Sequence, residues 1–131
     1  MRFGNAGTRR TGRRAAIGID VVEIERLRSA LLRTPSLERR LFTEGERRHC
    51  RAASDPVIHL AGTLAAKEAV IKALRLGSLV AWGARIEILR DADGAPRALV
   101  QDRVVAVSIS HDGPVAVAVA LVTPPGGEDG F

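Results

Sequence analysis

The sequence predicts an α+β domain, with helices packed on a largely antiparallel sheet, and three observations predict it. A short apolar run, "AAIGIDVV", stands near the start. Helical spacing of apolar residues then dominates as far as about Leu76. Beyond Gly77 the apolar period changes from about 3.6 to 2, and two turn signals, "DADGAP" and "DGP", break the remaining chain into strands.

Taken in order, the run from Ala15 suits a buried strand. It leads into "VVEIERLRSALLR", where Ile24, Leu27 and Leu31 recur at helical spacing with Leu32 beside them, so strand gives way to helix at Asp20. Thr34, Pro35 and Ser36 punctuate, and a short helical piece follows through Leu41 and Phe42. Thr43 caps the polar helix of "TEGERRHCRAA", and after "SDP" a long helix runs from about Val57 to Leu76. Arg85, Glu87 and Leu89 then alternate with Ala84, Ile86 and Ile88; "DADGAP" makes a hairpin turn; "RALVQ", "VVAVSISH" and "VAVAVALV" complete four strands. The organisation expected is a disordered basic arm over residues 1–14, one domain over 15–123 and a flexible tail over 124–131.

Charge narrows the function classes. The net charge of +5 suggests a nucleic-acid binder until its source is located. Arg2, Arg9, Arg10, Arg13 and Arg14 precede the first acid, Asp20, and the other fifteen basic residues balance the fifteen acids. A neutral body with three Phe, one Trp and no Tyr offers little on which to stack bases, which argues against a nucleic-acid partner. The apolar run Val115 to Val122 is too short to span a bilayer, so no membrane role is expected. The basic first nineteen residues lack the apolar stretch of a secretory signal. A lone cysteine, Cys50, forms no internal disulfide and reads as structural, and together these point to a reducing cytoplasm.

The chain is arginine-heavy, yet both of its lysines, Lys67 and Lys72, fall in "LAAKEAVIKAL". Lysine differs from arginine most at phosphates and in proton transfer. Glu68 lies between the two, which stand roughly 140° apart around a helix. One reading of Glu68 is an i,i+4 ion pair with Lys72; the other joins it to Asp20, a second carboxylate among apolar residues, as a site for Mg²⁺ beside a phosphate ester. Asp20 has a competing reading too, because "DVVE" carries the Asp/Glu spacing of a capping box with Glu23. His111, ending "VSISH", fits a surface position as well as a functional one.

Together, "IGIDVVEIER", "FTEGE", "LAAKEAVIKAL", "IEILRDADGAPRALV" and "VSISHDGPVAVAVAL" resemble, in order and nearly in spacing, the holo-acyl-carrier-protein synthase family of 4′-phosphopantetheinyl transferases. The resemblance spans about residues 16 to 122. It implies an α+β homotrimer with active sites between subunits, which transfers 4′-phosphopantetheine from coenzyme A to a serine of an apo acyl carrier protein and releases 3′,5′-ADP. It implies that Asp20 and Glu68 ligate Mg²⁺, that Lys67 and Lys72 stabilise phosphates and leaving group, and that Ser110 and His111 contact coenzyme A. Proton removal from the serine falls to Glu68 or Lys72. Arg26 and Arg33, seven residues apart on one helix face, dock the acidic carrier protein, against the simpler reading of a solvated face.

There are departures. Thr63 and Leu64 stand where the family has an arginine and an aromatic, Ser54 and Asp55 where it has basic residues for the 3′-phosphate, and "RLGSLVAWG" keeps little of a glycine-rich loop. Arg47, Arg48 or Arg51 would then hold coenzyme A. A non-catalytic paralogue that binds carrier proteins is the alternative function. Whether the carrier serves fatty-acid, polyketide or peptide synthesis stays open.

Overall fold

The computed structural model describes residues 14–124, so the expected basic arm and tail lie almost wholly outside the described residues. The element order is β1 (Ala16–Glu23), α1 (Ile24–Arg33), α2 (Ser36–Leu41), α3 (Glu44–Arg51), α4 (Pro56–Leu74), α5 (Leu79–Trp82), a 3₁₀ turn (Gly83–Arg85), β2 (Ile86–Arg90), β3 (Pro96–Val100), β4 (Arg103–Asp112) and β5 (Val115–Val122). The five strands form one antiparallel sheet in the order β1-β5-β4-β3-β2, so the first strand and the last meet in its middle-to-edge half. This is the α+β arrangement expected from the change of period.

The helices cover one face of the sheet. α4 is the central one: Leu60, Ala65, Ala66, Ala69, Val70 and Ile71 are buried against Ile86, Ile88, Val105, Ala118 and Ala120 and against the smaller helices. Its small residues let it lie close on the sheet. An added Cβ at Gly18 of β1 would collide with the backbone carbonyl of Ala69 and come within 2.9 Å of the Ala73 nitrogen, so only glycine admits this approach. α4 stops where Arg75 turns into the left-handed region at φ 58°, two residues before the expected end.

Three boundaries differ from expectation. Strand does not give way to helix at Asp20: the β1–β5 ladder continues through Val21–Val117 and Val22–Ala116 to Glu23–Val115. β-Branched Val21 and Val22 extend the pleat, and α1 begins only at Ile24, whose backbone N–H donates to the Pro114 carbonyl. The capping-box reading of Asp20 and Glu23 therefore fails; Glu23 itself occupies the N-cap position without a side-chain cap. The box at Thr43 holds, with Thr43 Oγ1 accepting from the Glu46 backbone and Glu46 Oε1 accepting from the Thr43 backbone. The segment after Gly77 adds α5 and the 3₁₀ turn before the first hairpin strand, which starts at Ile86 rather than at Ala84.

Candidate active site

Alternation along β1 decides what faces α4. Gly18, Asp20 and Val22 pair with Ala120, Ala118 and Ala116, which are buried on the helix side, while Ile17, Ile19 and Val21 face the other way. Asp20 thus projects from mid-strand toward α4. Lys72, from the last turns of α4, crosses to it: Nζ donates to Asp20 Oδ1 at 2.9 Å and to the Ile19 carbonyl at 3.0 Å. The i,i+4 pair expected between Glu68 and Lys72 is replaced by this cross-element pair.

Glu68, one turn earlier on α4, is half-buried, and among the described residues no hydrogen bond or ion pair is found for its carboxylate. Burial pushes its carboxyl above the ordinary glutamate range; the negative charge of Asp20 pushes the same way, against a smaller opposing pull from Lys72. Asp20 holds Lys72 above the ordinary lysine range, by a hydrogen bond first and by charge second, so this group stays an ammonium. Asp20 and Glu68 line the same cleft of about 320 Å³, whose apolar walls include Leu27, Leu41 and Leu64 and whose rim carries Arg26.

This donor set fits a hard divalent cation. Two carboxylates from different elements oppose one another electrostatically, and one of them lacks a partner among the described residues, a state that an oxygen-seeking cation relieves. Asp20 and Glu68 are the pair, and among the described residues no group of three or more metal-ligating side chains is found. That suits Mg²⁺, which is held by one or two carboxylates and completes its shell with water and substrate oxygens.

Other expected site residues are placed elsewhere. Lys67 is completely buried: its Nζ donates to the Leu41 carbonyl at 2.9 Å and to the Gly83 carbonyl, and pairs with Glu46 Oε1. It has no surface to offer a phosphate. Ser110 and His111 sit on adjacent residues of β4 and therefore on opposite faces of the sheet; Ser110 pairs with Val117 and His111 with Ala116. His111 lies beside His59 of α4, ring centroids 6.5 Å apart. His59 precedes Glu68 by nine residues, roughly 13 Å along one helix and half a turn around it, so His111 lies beside a stretch of α4 remote from Glu68. Arg26 is exposed beside Glu23 at 3.5 Å, and Arg33 is exposed in the last turn of α1.

Of the departures, Thr63 is buried and donates to the His59 carbonyl. Asp55 accepts both guanidinium nitrogens of Arg28, at 3.2 and 3.1 Å, which holds its carboxyl below the ordinary range. Sequence reasoning missed Glu46 as the partner of Lys67; the only signal was its place in the Thr43 capping box. It also missed His59, for which no pattern in the sequence exists.

A family model described as the 4′-phosphopantetheinyl transferase superfamily matches residues 16–120. The chain belongs to that superfamily. Among curated phosphopantetheinyl transferases, it is 40% identical over 124 residues to a holo-[acyl-carrier-protein] synthase of Moorella thermoacetica, covering 86% of this chain and 97% of that one. It is 43% identical over 115 residues to one of Chlorobaculum tepidum, with 82% and 97% covered. Among solved structures, a Chronobacterium ammoniagenes ACPS–CoA complex superposes with a TM-score of 0.76 at 31% identity, covering 85% of this chain and 98% of that one. A holo-(acyl-carrier-protein) synthase of Bacillus anthracis in complex with CoA (3′,5′-ADP) gives 0.73 at 31%, with 83% and 96% covered.

Proposed function

We propose that this phosphopantetheinyl transferase is a holo-[acyl-carrier-protein] synthase that moves 4′-phosphopantetheine from coenzyme A to a serine of an apo acyl carrier protein, with Mg²⁺, releasing 3′,5′-ADP. The observation that carries the reading is the convergence of Asp20 and Glu68, from two elements, on one cleft, with Lys72 hydrogen-bonded to Asp20. The names of the relatives and the coenzyme A complexes among similar structures support the same substrate pair.

Asp20 and Glu68 would hold the ion. Mg²⁺ bound there supplies positive charge to the diphosphate of coenzyme A. Lys72 sets an ammonium beside the same oxygens, where charge accumulates as the bond from the β-phosphorus to the leaving 3′,5′-ADP breaks. The serine oxygen forms the new bond to that phosphorus and its proton must leave. Lys72, held as an ammonium by Asp20, has no free pair to offer, which leaves Glu68 as the acceptor. Apolar walls at Leu27, Leu41 and Leu64 lower the local dielectric and strengthen these interactions. Arg26, on the cleft rim, and Arg33 offer exposed positive charge to an acidic carrier.

His111 and Ser110 complete the coenzyme A contacts from a neighbouring subunit in this reading, because His111 lies beside a stretch of α4 remote from Glu68 of its own chain. The outer sheet face supports self-assembly as a trimer: Ile17, Ile19 and Val21 are 69%, 57% and 54% exposed, with partly exposed Leu121, Val119 and Val117 opposite them. The location proposed is the cytoplasm, in keeping with the buried free thiol of Cys50.

One observation favours the second reading, a paralogue that binds carriers without transfer. Thr63 and Asp55 carry no positive charge, and Asp55 is paired with Arg28, so neither position supplies a cation for the 3′-phosphate. Incubation with Mg²⁺, coenzyme A and several apo carrier proteins separates the two. Transfer adds the mass of one phosphopantetheine to a carrier; no gain on any carrier, beside an active control enzyme, overturns the proposal in favour of the paralogue.

A further inference from the structure

We infer that Lys67 is a positioning residue for the carboxylate site: its buried ammonium braces the wall of the cleft and fixes the rotation of α4 that aims Glu68 at Asp20. The inference rests on the reading of Asp20 and Glu68 as the metal-holding pair.

An ammonium has three N–H donors, and all three are spent inside the protein, on the Leu41 carbonyl at the end of α2, the Gly83 carbonyl of the 3₁₀ turn and Glu46 Oε1 at the start of α3. The Phe42 ring lies 5.5 Å from Nζ and closes the remaining side. Glu46 is engaged as fully. Oε1 also accepts from the Thr43 backbone, and Oε2 accepts from the Ile88 backbone of β2 at 2.7 Å. One buried pair therefore joins α4 to α2, α3, the 3₁₀ turn and β2.

Two features turn this brace toward the site. Lys67 and Glu68 are consecutive on a helix, about 100° apart, so fixing the direction of one side chain fixes that of the other. Leu41, whose carbonyl takes a Lys67 proton, is itself a wall of the cleft that Asp20 and Glu68 line. Hydrophobic packing alone would leave α4 freer to roll, because its buried residues are mostly small and spread around much of its circumference. The directional bonds at Lys67 remove that freedom on one side, as the Gly18 contact does on the other.

The test measures metal binding without substrate. Lys67→Met alone leaves the Glu46 carboxylate buried without its counter-charge and Glu46→Gln alone does the same to the Lys67 ammonium, so Glu46→Gln is read beside Lys67→Met combined with Glu46→Gln, which removes both charges. Folding is followed by circular dichroism, and Mn²⁺ binding to the substrate-free protein by electron paramagnetic resonance, with Asp20→Asn as control. Expected are a loss of Mn²⁺ affinity of at least threefold for Glu46→Gln and at least tenfold for the double variant. Turnover at low metal falls with it and is partly restored by raised Mg²⁺. Affinity unchanged in whichever variant folds, while Asp20→Asn loses binding, overturns the positioning role alone. Binding unchanged in Asp20→Asn overturns the metal reading, and the inference with it.

Discussion

Glu68 is held in a state that costs the fold something. Its carboxyl lies above the ordinary range through burial and through the charge of Asp20, so the folded protein favours the protonated form more than the unfolded chain does. The stability associated with that proton is fully present below the ordinary glutamate pKa and is lost as pH rises through the raised value. Glu68→Gln removes the charge, so we expect a higher Tm at neutral pH, a smaller Tm difference from the parent in acid, and loss of Mg²⁺-dependent turnover. A Tm at or below the parent's at neutral pH contradicts this account. At this scale the sequence was half legible. Two carboxylates among apolar residues and two lysines in one helix pointed to phosphate chemistry, but nothing in the letters separates an inward Lys67 from an outward Lys72. Five residues along a helix give different directions; which one is inside is settled by α2, α3 and the 3₁₀ turn, elements remote in sequence.

Among the elements, α4 and β1 carry the site between them, and their separation is set by Gly18. A methyl group there meets backbone atoms of α4, which cannot rotate aside as a side chain can. Gly18→Ala should push the helix away from the strand, at a cost of about 1–3 kcal/mol for overpacking. It should also lengthen the bond from Lys72 to Asp20, so that Mn²⁺ affinity falls together with the chemical-denaturation midpoint. Full stability with full affinity argues against the close approach. The elements were largely readable from periodicity, because the switch from 3.6 to 2 needs no tertiary information. The junction at Asp20 was not. A residue with both capping and strand possibilities is decided by its partner strand, and Ala118 lies almost a hundred residues away. The short α5 and the 3₁₀ turn were missed for a related reason: four- and three-residue helices hold too few turns to display a period.

For the whole molecule, the proposed assembly makes a demand that a single chain does not meet, since His111 lies beside a stretch of α4 remote from Glu68. Ile17→Asp places a charge on the outer sheet face without touching the helix side. We expect a folded monomer by light scattering, with transfer lost. Mixing subunits gives a sharper check. Glu68→Ala chains and His111→Ala chains, inactive separately, should regain turnover when unfolded and refolded together, because some interfaces then combine an intact carboxylate pair with an intact imidazole. No recovery in verified mixed oligomers contradicts a shared site. Assembly had no sequence signature of its own beyond the resemblance. The apolar runs of β1, broken by Asp20 and Glu23, and of β5 read as strands buried on both faces, and only the structure reveals that one face is covered by helices and the other by nothing among the described residues.

The two-residue repeat of β1 also governs which genetic changes this protein can survive. Deleting or inserting one amino acid between Ala16 and Asp20 leaves the strand's composition almost intact while exchanging inside for outside: Ile19 would turn toward the helix and the acidic group toward the bare surface. Length variation is therefore filtered out within this strand, whereas the turn around Gly94, where an added Cβ would meet nothing within 4 Å, has room to accept it.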